Sequence, residues 1–240
     1  MTHVLAIGNP TLFSHFIHSL RCAFCRCYLC RLPIDNQHAI CTRCQRYFEQ
    51  INQACRRCAM PMQTSSDTLC GQCQPSQGYI DNAHIFWRYT PPLTGLIHDF
   101  KYHNQLFLAP FLAHCMQRHL PQPLTDIDYL IPMPIHRKRL RSRGFNQTSL
   151  LAKALSKQTG IPMNQTLCQR IVFHSPQALL NQTSRQSNIK NAFRSKPADQ
   201  LNLVIIDDIM TTGATANALA KELKRQGASR VDLWCIARQY

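Results

Sequence analysis

The stretch LVIIDDIMTTGAT, residues 203–215, decides how the chain is read. Residues 201–206 form a short apolar run that predicts a buried strand, and residues 214–226, closing at Gly227, have the pattern of a helix. Between them lie two adjacent acids, Asp207 and Asp208, then a loop rich in hydroxyls that opens at Gly213 into the helix. Backbone N–H groups of residues 212–215, with the hydroxyls of Thr211, Thr212 and Thr215, suit a phosphate held at a helix amino terminus. Two carboxylates beside that cradle can accept hydrogen bonds from sugar hydroxyls or hold Mg²⁺ through water. A helix N-cap accounts for one acid, not for two acids followed by a hydroxyl-rich loop. No Gly-x-x-x-x-Gly-Lys-Ser/Thr sequence occurs, which excludes a P-loop nucleotidase.

The neighbouring segments extend the pattern. Residues 127–131 predict a strand, a basic loop follows, and a helix begins near Gln147 with Leu150, Leu151, Ala154 and Leu155 on one face, ended by Gly160 and Pro162. A last strand is predicted over 231–236. Alternating strands and helices imply an α/β domain with a largely parallel sheet flanked by helices, whose ligands bind at the carboxyl ends of the strands. The loop between 131 and 147 carries five Lys/Arg from Arg137 to Arg143, with Gly144 allowing close backbone approach, a composition suited to pyrophosphate.

The chain has 240 residues, 45% of them hydrophobic, enough for one or two domains. Its formal charge is +15, and the excess is concentrated: residues 129–198 hold twelve Lys/Arg and no Asp/Glu. A surface kept charged only for solubility intersperses both signs, so a polyanionic partner such as nucleic acid or phosphate is expected. No apolar run reaches the length of a membrane span. The first twenty residues lack the basic opening of a signal peptide, so a cytoplasmic protein is expected.

Ten of thirteen cysteines fall between Cys22 and Cys73, as five Cys-x-x-Cys pairs. The spacing Cys27-x2-Cys30-x10-Cys41-x2-Cys44 is followed by Cys55-x2-Cys58-x11-Cys70-x2-Cys73, two similar units in tandem. In a reducing compartment these are metal ligands rather than disulfides. Two four-cysteine zinc sites are expected, structural because four thiolates leave no open coordination position, with an iron–sulfur cluster as the alternative. The surplus pair Cys22/Cys25 leaves the first knuckle open, and a cross-braced pairing of knuckles is also open. The composition changes near Gln77-Gly78, which places a cysteine-rich domain at 1–78 and an α/β domain at 79–240. Cys115, Cys168 and Cys235 stand alone and are expected to be packing residues.

Residues 203–215 resemble the signature of type I phosphoribosyltransferases, which bind 5-phosphoribosyl-1-pyrophosphate (PRPP). That resemblance implies ribose hydroxyls on Asp207 and Asp208 and the 5′-phosphate on Thr211, Thr212, Gly213, Ala214 and Thr215. It also implies pyrophosphate on Arg143 and Gly144, with Arg141 a further candidate and Mg²⁺ accompanying PRPP. Over the whole chain the order of elements resembles the ComF family of competence proteins, the ComF/GntX group. The matching elements include the tandem zinc ribbon, Leu96-Ile97-His98-Asp99-Phe100-Lys101-Tyr102, the block from Ile131 to Gln147, a block from Gln177 to Phe193, and Ala237-Arg238. His103-Asn104 departs from the family, where many relatives have a glycine. Residues 174–196 carry Arg185, Lys190, Arg194 and Lys196 and no acid, and are expected to form a flap over the pyrophosphate that excludes water, with Lys101 either a further contact for that anion or a solvated lysine. The implied function is handling of incoming single-stranded DNA in natural transformation, alongside a competence helicase or other DNA-processing proteins. Two classes stay open: a phosphoribosyltransferase with an unknown acceptor, or a non-catalytic module that senses PRPP and holds single-stranded DNA.

Overall fold

A computed structural model of the chain describes residues 26–34, 38–63, 68–75, 78–124, 126–173 and 191–240. Cys22/Cys25, Arg185 and Lys190 lie outside the described residues. The chain divides into two compact units, 1–47 and 48–240.

In the first unit the one regular element among the described residues is a four-residue helix, α1 (Thr42–Gln45). The second unit runs β1 (Ala83–Arg88), α2 (Leu93–Tyr102), α3 (Leu108–Gln117), β2 (Tyr129–Pro132), α4 (Arg137–Arg143) and α5 (Gln147–Thr159). It continues through β3 (Cys168–Arg170), β4 (Phe193–Ser195), β5 (Asn202–Met210), α6 (Ala214–Arg225) and β6 (Arg230–Arg238). Four strands form a sheet in the order β1-β6-β5-β2, every neighbouring pair parallel. β3 and β4 make a separate antiparallel pair. The expected parallel sheet flanked by helices is the architecture observed. Residues 203–206 and 231–238 in the two central strands are buried almost without interruption, as strands covered on both faces must be.

The helices form where sequence supplies their ends. Asn146 caps α5 by accepting the Thr148 N–H, and Gly160 closes it in the left-handed conformation at φ 78°. The buried stripe of α5 is Thr148, Leu151, Ala152 and Leu155, a spacing of three and four residues, and α5 packs on α3. At that contact Gln117 Nε2 donates to the Gln158 carbonyl and Gln158 Nε2 to that of Pro110.

The helices depart from the sequence expectation at one place. The basic stretch 137–143 is helical, not a loop: His136 accepts the Lys138 N–H at its start, Gly144 (φ 83°) ends it, and Arg and Lys favour helix between. The cysteine-rich composition ends near 78, yet the compact units divide at 47/48. Main-chain bonds are the reason: Ile51 N–H donates to Phe86 O (3.0 Å), Arg88 N–H to Glu49 O (2.8 Å) and Ala83 N–H to Arg56 O (2.7 Å), tying residues 49–56 to β1. Phe48 meets Trp87 and Phe111 edge-on, and Ala59 joins the core of the second unit.

Leu155 is fully buried under α3. Leu155→Ala is expected to cost about 2–5 kcal/mol, read as a lower urea midpoint with an unchanged m-value.

Candidate functional site

β5 does not stop before the acids. It runs through Asp207 and Asp208 to Met210, so both carboxylates sit on a strand rather than in a loop. Alternation along the strand points them to opposite faces. Asp208 is buried, with Oδ1 accepting from Lys101 Nζ (2.8 Å) and from the Ile209 N–H (2.7 Å), and Oδ2 accepting from Gln147 Nε2 (3.0 Å). Gln147 Oε1 in turn accepts from Arg143 Nη1 (2.6 Å). The Arg143 guanidinium lies 5.0 Å from the centre of the Tyr102 ring. One relay therefore joins α4, α5, β5 and α2.

The hydroxyl-rich loop is braced from below. Arg238 Nη1 donates to the Thr211 carbonyl (3.1 Å), and the Gln239 N–H to Met210 O (2.9 Å). Gly213 takes φ 76°, and a Cβ there would collide with the Met210 methyl, so this turn requires glycine. Thr212 Oγ1 accepts the Ala214 N–H (3.3 Å), and the first amides of α6 follow directly.

These parts face one cavity of about 190 Å³. It brings together Lys101, Arg143, Asp207, Asp208 and the loop Thr211, Thr212, Gly213, Ala214 and Thr215, the same residues that the sequence grouped. Arg141 and Gly144 are not on its wall: Arg141 is exposed, and Gly144 terminates α4. Lys101 is no solvated lysine, since it is largely buried against Asp208. Four wall residues escape the sequence reading: Tyr102, Arg139, Gln147 and Arg170. Arg139 follows once α4 is a helix, because positions 139 and 143 share a face and 141 does not. Gln147 and Arg170 carry no signal in the sequence.

The electrostatics are those of an anion site. Burial, and then the charge of Arg139, push the Arg170 pKa down, with only Asp207 opposing them. Burial also raises the Asp207 pKa, to about 7, aided by the charge of Asp208 and opposed by Lys101 and Arg170. Asp207 Oδ1 accepts the Asp208 N–H (2.9 Å). Burial disfavours the Lys101 ammonium, but Asp208 outweighs it and the Lys101 pKa is raised.

The cysteines gather into two clusters, Cys27/Cys30/Cys41/Cys44 and Cys55/Cys58/Cys70/Cys73, each with all four Sγ atoms within 4.8 Å of one another. Pairing is sequential, not cross-braced. The units repeat in detail: Cys27 N–H donates to Leu32 O and Cys55 N–H to Met60 O, both at 2.8 Å. Arg31 and Ala59, each four residues beyond those cysteines, share a positive φ. Cys30 and Cys41 Sγ lie 3.8 Å apart and Cys58 and Cys70 Sγ 3.6 Å. Tetrahedral zinc with Zn–S near 2.3 Å separates its sulfurs by about 3.8 Å, so both clusters fit a zinc ion. Burial opposes ionisation of Cys27 and Cys55, but backbone N–H donors outweigh it and bring their pKa values to about 6 and about 7. Cys115, Cys168 and Cys235 are buried thiols whose pKa values burial raises.

Strand order, the acid pair at the end of β5 and the hydroxyl-rich turn into α6 define an α/β protein with a type I phosphoribosyltransferase-like fold, carrying tandem four-cysteine clusters. No protein-family model matches the chain. It is 33% identical to DNA utilization protein YhgH of Salmonella typhi, over 88% of this chain and 96% of that one. It is 28% identical to Competence protein F of Haemophilus influenzae, over 89% and 96%, and 24% identical to Competence protein ComFC of Bacillus subtilis, over 88% and 83%. The chain belongs to the ComF family. Solved structures similar to it include glutamine phosphoribosylpyrophosphate amidotransferase from B. subtilis, 13% identical over 57% of this chain and 30% of that one, TM-score 0.40. Another is purine phosphoribosyltransferase from Pyrococcus horikoshii, 18% identical over 57% and 75%, TM-score 0.33.

Two outcomes are expected. Lys101→Met leaves the buried Asp208 charge without its cation and costs about 3–5 kcal/mol; adding Asp208→Asn recovers most of that loss, measured by denaturant unfolding of both variants. Cys30→Ser and Cys58→Ser each lower bound zinc, but only Cys58→Ser lowers the melting temperature of the α/β unit, because residues 55–73 belong to it.

Proposed function

We propose that the chain is a PRPP-binding, phosphoribosyltransferase-like protein of DNA uptake that works on incoming single-stranded DNA in the cytoplasm. The observation that carries this reading is the single cavity in which the hydroxyl-rich turn, Asp207 and three arginines converge. The loop Thr211–Thr215 and the amides opening α6 would take the 5′-phosphate, and Asp207 the ribose hydroxyls. Arg139, Arg143 and Arg170 would take the pyrophosphate, whose charge relieves the crowding of Arg139 against Arg170. Asp207 is the oxygen donor towards which Mg²⁺ would be held; when bound with PRPP it would neutralise departing pyrophosphate charge. Arg143 would stabilise the same charge, in an arrangement set in advance by Gln147. Arg185 would belong to a flap over the pyrophosphate, an assignment that rests on the basic, acid-free run 174–196.

Support for a DNA partner comes from the relatives' names and from the twelve uncompensated basic residues between 129 and 198. No helix among the described residues is long and apolar enough to cross a membrane. The second reading, a PRPP sensor without turnover, is favoured by one observation: both Asp208 oxygens are already engaged by Lys101, Ile209 and Gln147, leaving Asp207 as the acid able to meet a diol.

Titrating Mg²⁺-PRPP calorimetrically into the wild type and Asp207→Asn, then following pyrophosphate release with single-stranded DNA, tests both readings. Binding is expected in the wild type and should weaken at least about tenfold in the variant. Loss of the Asp207 proton makes it a stronger acceptor, so wild-type affinity rises as pH passes upward through about 7, a dependence that Asp207→Asn removes. DNA-stimulated release establishes the enzyme; binding without release removes single-stranded DNA as the acceptor and favours the sensor. No binding to folded, zinc-loaded protein overturns the PRPP reading.

A further inference from the structure

We propose that His98, Asp99 and His103, where α2 ends, form a site for a borderline divalent transition cation of the zinc, nickel and copper class, separate from the cysteine clusters. His103 Nδ1 lies 2.8 Å from Asp99 Oδ1, and His98 Nδ1 lies 3.9 Å from the same oxygen. The donor atoms of all three residues are within 4.8 Å of one another. Bonds of about 2.0–2.2 Å to imidazole nitrogen and carboxylate oxygen place neighbouring donors about 3–3.4 Å apart. The two spacings to Asp99 bracket that range, so small side-chain rotations complete the site.

The backbone explains the convergence. On an unbroken helix a residue five positions beyond His98 lies about 140° around the axis, away from it. α2 instead ends at Tyr102, His103 leaves helical geometry at φ −111° and ψ 20°, and Asn104 takes φ 54°. His103 follows Asp99 by four residues and its N–H still donates to the Asp99 carbonyl (3.0 Å), so the last helical turn stacks the His103 ring over Asp99 before the chain turns away at Asn104. The two imidazole rings stand 4.9 Å apart at 75°, an arrangement in which both edges can face one ion without the rings colliding.

Two imidazoles and one carboxylate select borderline metals over Mg²⁺ and Ca²⁺, which prefer all-oxygen shells. Three protein ligands leave further coordination positions open. The histidine side chains are 53% and 59% exposed, so an ion reaches them from solvent. The site also adjoins the cavity: the His98 ring lies 5.0 Å from Tyr102, whose ring faces Arg143 on the cavity wall.

The test uses the full chain with its cysteine clusters saturated with zinc, NiCl₂ as the titrant, and zinc counted before and after. One further equivalent of Ni²⁺ is expected with zinc retained, and His98→Ala and His103→Ala each weaken it at least about tenfold. Exposure of both side chains predicts unchanged melting temperatures, so the loss is not one of folding. Cu²⁺ at the site should show imidazole nitrogen couplings in its electron paramagnetic resonance spectrum, diminished in either variant. No Ni²⁺ uptake beyond the cysteine clusters, or uptake equally strong in both variants, overturns the proposal.

Discussion

One buried charge organises the second unit. Asp208 sits at the carboxyl end of the central strand β5, and a carboxylate there survives only if its oxygens are matched by donors and its charge by a cation. Lys101 comes from α2, Gln147 from the first turn of α5, and the Ile209 amide from β5 itself. Gln147 then holds Arg143 of α4, so four elements are registered against one another through a single side chain. The neighbouring acid escapes this compensation. Asp207 is half-buried on the cavity wall, and burial, with repulsion by Asp208, holds its pKa up at about 7. Two adjacent, chemically identical residues thus acquire different work: one fixes the frame, the other is presented to the cavity.

Much of this architecture is legible in the sequence, for a physical reason. Parallel central strands are buried on both faces and appear as unbroken apolar runs, so 203–206 and 231–236 alone locate β5 and β6. The turn at Gly213 announces itself because only glycine fits there. The cysteine spacing encodes two local clusters, since each knuckle is closed by hydrogen bonds within six residues. What depends on distant packing is not visible. Gln147 and Arg170 reach the cavity only because α5 and the β3–β4 pair are placed beside β5, and nothing in their own neighbourhoods marks them. Arg141 is a plausible anion ligand if its segment is a loop; as part of α4 it faces the other way, and Arg139 takes its place.

The arginine arrangement separates two uses of positive charge. Arg139, Arg143 and Arg170 converge on a space of limited volume, a geometry suited to a small, highly charged ligand. Arg137, Lys138 and Arg141 lie on α4 away from that space and are exposed, a placement suited to the field of a longer polyanion rather than to fitted contacts. A seven-residue helix with no buried residue presents both groups because its opposite faces are electrostatically equivalent and geometrically distinct.

The main-chain bonds between residues 49–56 and β1 carry a consequence for solubility. A four-stranded open sheet has two edges, and each is a row of backbone groups able to pair with another chain. Residues 162–164 cover the β2 edge through bonds to Leu130, and the segment leading into the second cysteine cluster covers the β1 edge. The cysteine-rich segment is thereby an edge guard. Were residues 49–51 to come away, the backbone groups of β1 around Trp87 would be bared as an edge able to pair with another chain.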